Sequence, residues 1–82
     1  MHIDPYIFGS DNITGTYTGD VERGKLYVNG AYAGVIGGTF SDGKFIFYAK
    51  GKFEATDKVE LEGLNALDVV VVEKQIVEII ST

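Results

Sequence analysis

The 82-residue sequence contains no cysteine, no tryptophan, a single histidine and a single proline. Without cysteine there are no disulfide staples, no thiolate nucleophiles and no Cys-based zinc sites. His2 is the only imidazole and stands in the first residues, so the sequence offers no Ser-His-Asp arrangement within a rigid cleft. No apolar run approaches the roughly 18 residues that a membrane-spanning helix requires, so no membrane span is expected. The start, Met1-His2-Ile3-Asp4-Pro5, lacks the basic region, apolar stretch and small-residue cleavage site of a signal peptide, and this predicts a cytoplasmic location.

What is present is apolar and glycine-rich. Hydrophobic residues make up 45% of the chain, with five Tyr, five Phe and eleven Gly. A single domain of this length buries only roughly 60 to 65% of its unfolded surface, so self-association is an expected extra source of stability. The net charge of −5 lies in the last third. Up to Phe53 acidic and basic residues balance, whereas Glu54 to Thr82 holds seven acidic residues against Lys58 and Lys74. That balance disfavours direct nucleic-acid binding, which needs surplus Lys and Arg. An acidic face can instead meet a basic protein partner, and Glu60, Glu62 and Asp68 are its candidate residues.

Along the chain, residues 1–12 read as a lead-in segment with an apolar knot of Ile3, Tyr6, Ile7 and Phe8, and residues 13–82 as one all-β domain. From Ile13 the sequence alternates with a period near two, and Gly recurs at short intervals. Ile13-Thr14-Gly15-Thr16-Tyr17-Thr18-Gly19 and Val28-Asn29-Gly30-Ala31-Tyr32-Ala33-Gly34 share the pattern apolar-x-Gly-x-aromatic-x-Gly. Ala49 to Ala55 is a third copy and Leu61 to Ala66 a shortened fourth. Two architectures fit. In one, each Gly marks a corner of short parallel strands coiled into a right-handed parallel β-helix. In the other, Asn29-Gly30, Asp42-Gly43 and Lys50-Gly51 are tight turns of an antiparallel β-meander that forms a small barrel or sandwich. Residues 73–80 are the one helical candidate.

The Ile13 to Val21 copy, Ser41-Asp42-Gly43-Lys44 leading into Phe45-Ile46-Phe47, and Gly51-Lys52-Phe53-Glu54-Ala55 resemble the repeats of the bactofilins, polymer-forming bacterial cytoskeletal proteins. That resemblance implies a right-handed parallel β-helix stacked end to end into filaments without nucleotide.

Chemical motifs are few. Gly19 to Lys25 has the spacing of a phosphate loop, but Leu26 stands where Ser or Thr would hold magnesium, and Asp20 and Glu22 would repel the anion. Gly37-Gly38-Thr39-Phe40 has Phe where a calcium-binding β-roll turn needs a second small Gly. Glu60 and Glu62 alternate with Val59 and Leu61, so both carboxylates share one face of a strand. No cofactor, metal or catalytic residue is implied, and a non-enzymatic protein is expected. Lys44 to Ala49 is apolar on both faces, with Phe45 and Phe47 on one and Ile46 and Tyr48 on the other, as in a strand covered on both sides. Val69 to Val72 and Ile76 to Ile80 are similarly apolar and must be paired or covered. The expected function is a structural protein that self-associates into an oligomer or filament through strand edges or ends. Its interface residues are Phe45, Ile46, Phe47, Tyr48, Val69, Val71, Ile76 and Ile79, with Tyr17, Tyr27 and Tyr48 as aromatic anchors. The alternative is a small acidic binding module, such as a phage-type inhibitor or sponge, that captures a protein or small ligand.

Overall fold

The computed structural model describes residues 1–81. Among them there is no helix, and so none long and apolar enough to cross a membrane. The strands are β1 (His2–Ile3), β2 (Tyr6–Ile7), β3 (Asn12–Thr16), β4 (Arg23–Val28) and β5 (Ala31–Gly37), then β6 (Thr39–Ser41), β7 (Lys44–Tyr48), β8 (Val59–Leu64), β9 (Val70–Ile76) and β10 (Ile79–Ile80). One four-stranded sheet has the order β1-β3-β7-β6 and the other β5-β4-β8-β9, and every neighbouring pair within them is antiparallel. A short parallel ladder joins β2 to β10.

The inward residues of the two sheets form a single core. Ile13, Phe45 and Phe47 come from the first sheet, Leu26, Val59 and Leu61 from the second, and each is almost fully buried. Alternation along β7 drives this: Phe45 and Phe47 point in, while Lys44, Ile46 and Tyr48 point out. Tyr6 closes one flank, meeting Phe53 edge to face at 5.3 Å and donating its hydroxyl hydrogen to the Ser10 carbonyl at 2.6 Å. Residues 1–12 thus supply β1, β2 and a core ring.

The parallel β-helix is therefore replaced by an antiparallel two-layer sandwich, without a closed barrel. The physical reason lies in the glycines. Gly15 and Gly24 are not corners but positions within strands: at Gly15 there is no room for a side chain, and at Gly24 the neighbours are tight. A Cβ on Gly15 would collide with the His2 carbonyl and the Phe45 ring, and one on Gly24 would lie 3.1 Å from the Phe47 ring and 3.2 Å from Leu61. The repeated glycines share no single role: Gly15 and Gly63 are crowded positions within strands, whereas Gly19, Gly30, Gly34 and Gly51 are open positions with positive φ.

Two of the three tight turns form. Asn29-Gly30 links β4 to β5 with φ of 54° and 83°, and Asp42-Gly43 links β6 to β7 with φ of 54° and 76°. Both central residues are left-handed, as the right-handed twist of a two-residue hairpin demands. Lys50-Gly51 is not a hairpin turn, because the strands on either side of it, β7 and β8, lie in different sheets. The chain there passes from one sheet to the other, and Phe53 is buried in the core. Residues 73–80 are strand at 73–76 and 79–80 rather than helix, with Val77 buried between β9 and β10 and its N–H donating to the Val59 carbonyl at 2.9 Å.

Candidate binding surfaces

Two regions of the surface depart from an ordinary solvated β-face. The first is the outer face of the second sheet. Because Leu26 opposite Leu61 points inward, the flanking pairs Lys25–Glu62 and Tyr27–Glu60 point outward. Tyr32 on β5 lies opposite Tyr27, and Ile76 on β9 opposite Glu60. The Tyr27 hydroxyl donates to Glu62 Oε1 at 3.0 Å, a diagonal contact between neighbouring strands. Lys74 Nζ lies 4.1 Å from the centre of the Tyr27 ring, and Lys25 Nζ lies 4.7 Å from that of Tyr32 and 5.4 Å from that of Tyr27. Under this cover Glu62 is only 8% exposed. Hydrogen bonding with Tyr27 holds the Lys25 ammonium above its ordinary pKa, with burial opposing and the charges of Tyr27, Glu62 and Tyr32 adding to the rise.

The second region is an apolar strip at the β8–β9 connection. Asn65 organises it: its side-chain carbonyl accepts from the Leu67 and Val69 N–H groups at 2.9 and 3.0 Å, and Asp68 takes φ of 61°. That tight loop pushes Leu67 outward to 82% exposure and leads into Val69, Val70 and Val71 at 55, 46 and 44%. The one charge within the strip, Asp68, pairs with Arg23.

Of the interface residues expected from sequence, Ile46 and Tyr48 are exposed on the outer face of the first sheet, and Val69, Val71 and Ile76 are exposed on β9 or beside it. Phe45 and Phe47 are core residues instead, because the second sheet of the same chain supplies the cover that a partner was expected to provide. Ile79 is half-buried in the ladder opposite Tyr6. Tyr17 packs edge to face on Phe40 at 5.3 Å and is only partly exposed. The three acidic residues do not form one open patch. Glu60 and Glu62 share a face, as their alternation implied, but Glu62 is covered and Glu60 has Lys58 at 4.0 Å, while Asp68 is neutralised by Arg23. Tyr32, Lys25 and Lys74 were missed. Their signal was faint in sequence, since only strand register brings positions 25, 32 and 74 together. Among the described residues no group of three or more His, Asp or Glu side chains could hold a metal ion.

The sheet edges are blunted. In the first sheet the edge strands β1 and β6 are two and three residues long. In the second, β5 bulges opposite Leu26, and β9 shifts register twice along β8. Short and bulged edges present few aligned N–H and C=O groups to an added strand.

Sheet orders β1-β3-β7-β6 and β5-β4-β8-β9, packed over one core, are those of an immunoglobulin-like sandwich carrying one extra strand beside its C strand. Residues 1–81 match the family described as bacterial Ig domain (Big_16), and the chain belongs to that family. The bactofilin resemblance is thereby corrected: the shared features are alternation and glycine, which the two architectures use differently. No curated protein and no solved structure matches the chain.

Proposed function

We propose that this domain is a non-catalytic association module that pairs with a second copy of itself through the strip Leu67, Val69, Val70 and Val71. Bacterial Ig-like domains are typically non-catalytic, which agrees with this reading. The observation that carries it is the group of exposed apolar side chains, Leu67, Val69, Val70 and Val71, gathered at the Asn65 loop and the start of β9. Runs of this kind mark interaction sites. Pairing of Asp68 with Arg23 removes the charge that would otherwise make two such strips repel, an important point in a chain of net charge −5.

The blunted edges argue for side-chain burial rather than strand addition, and so for a closed dimer in place of an open filament. The strip is narrow against the roughly 800 Å² per partner of a standard interface, so the dimer is weak and concentration-dependent. Light scattering after size exclusion, run across a wide concentration range, tests this. A rise from monomer to dimer mass in the wild type, absent in Val71→Lys, supports it; a monomer at every concentration removes it.

A further inference from the structure

The outer face of the second sheet is remote in character from the strip and calls for a different occupant. It combines three features. Tyr32 is 49% exposed and presents a large part of its ring to solvent beside the half-buried Tyr27. Ammonium donors stand next to the rings at Lys25 and Lys74, while Glu60 supplies a partly exposed carboxylate acceptor. Finally, the charges cancel: Lys25, Lys58 and Lys74 are matched by Glu60, Glu62 and, in the adjoining bulge, Glu73.

Each feature narrows the ligand. An anion would gain from the lysines and lose as much to the glutamates, and a cation would meet the reverse. A purely apolar partner would have to strip water from the charged groups without replacing their hydrogen bonds. A neutral molecule with apolar C–H faces and many hydroxyls satisfies all three, since hydroxyls both donate to carboxylates and accept from ammonium groups. The surface is a broad sheet face rather than a cleft, and Ile76 extends its apolar border at the β9 side.

We infer that the Tyr27–Tyr32 face, with Lys25, Lys74 and Glu60, is a surface binding site for a neutral carbohydrate chain. Tyr32 is the stacking platform. Lys74 and Glu60 provide hydrogen bonds to sugar hydroxyls, while Glu62 beneath them fixes the Tyr27 ring through its hydroxyl.

The test is affinity electrophoresis in native gels containing soluble neutral polysaccharides (a β-glucan, an α-mannan, a galactomannan and a xylan), with alginate as an anionic comparison. The wild type should be retarded by at least one neutral polymer. Tyr32→Ala and Lys74→Ala, each checked for native far-UV circular dichroism, should each weaken that retardation by about fivefold or more, the scale of one lost aromatic or charged contact. Should Tyr32→Ala prove unfolded, Lys74→Ala decides alone. Migration unchanged by every neutral polymer, retardation confined to alginate, or equal retardation of wild type and variants would each overturn the assignment. Val71→Lys serves as a control that keeps this face intact, so loss of dimerisation and loss of sugar binding are read separately.

Discussion

At Gly15 a methyl group would run into the His2 carbonyl and the Phe45 ring, so Gly15→Ala must displace either β1 or a core aromatic. Overpacking of this kind costs about 1–3 kcal/mol, a large share of the roughly 4–12 kcal/mol that holds a domain of this size together. A thermal melt should therefore show a fall of about 5–20 °C. Phe47→Ala should be harsher, costing about 3–5 kcal/mol and losing folded structure rather than merely shifting oligomeric state. Both outcomes separate core from interface, a distinction the sequence left open. Alternation from Lys44 to Tyr48 revealed that Phe45 and Phe47 share a face. It could not reveal that the same chain covers that face, because the covering residues, Leu26, Val59 and Leu61, are 12 or more positions away and approach only through sheet packing. The glycines misled for a related reason: a residue without a side chain suits a corner and a crowded mid-strand position equally well.

Hairpins were the most legible elements. Asn29-Gly30 and Asp42-Gly43 are local chemistry, since a left-handed pair of residues between alternating runs needs no information from elsewhere. The long connection between β7 and β8 was illegible, and its anchor is non-local. The Asp57 carboxylate accepts from the Glu54 N–H at 2.8 Å and from the Asn29 side-chain amide at 3.1 Å, while Asn29 Oδ1 accepts from the Lys58 N–H at 2.9 Å. This latch ties the crossing loop to the β4–β5 turn. The Glu54 N–H and then the Asn29 amide hold the Asp57 carboxyl below its ordinary pKa of 3.8. A depressed folded pKa gives stability that is present above the unfolded value and is lost as pH falls through the folded one. Asp57→Ala should thus lower the melting temperature at neutral pH, and the gap between variant and wild type should shrink as the pH is taken well below 3.8. A gap that stays constant over that range would show the latch to be uncharged in its effect.

At the scale of the whole molecule the immunoglobulin-like order was hidden by what is missing. Such domains are recognised by a Cys…Trp…Cys spacing. Here Ile13, Leu26 and Leu61 occupy the centre of the second, third and sixth strands of that order, fully buried, and provide apolar contact where a disulfide and an indole would otherwise leave a sequence mark. The all-β class survived their absence because alternation alone conveys it. The apolar strip was partly legible as a β-branched run from Val69 to Val72, but its neutralisation by Arg23 depends on a contact across 45 positions. Removing that compensation should expose Asp68 within the dimer contact. Arg23→Ala is expected to weaken self-association, and added salt should restore part of it by screening the two aspartates. Salt-independent weakening would assign Arg23 a packing role instead.

The decisive measurement is light scattering of wild type and Val71→Lys over the same concentration series, with circular dichroism on each sample. We expect the wild type to pass from monomer to a closed dimer. Val71→Lys should keep its strand signal while its dissociation constant rises by about tenfold or more, because two buried lysines would face each other across the two-fold axis. A wild type that stays monomeric, that grows without limit into fibres, or that dimerises equally well with lysine at position 71 would contradict association through the Leu67–Val71 strip.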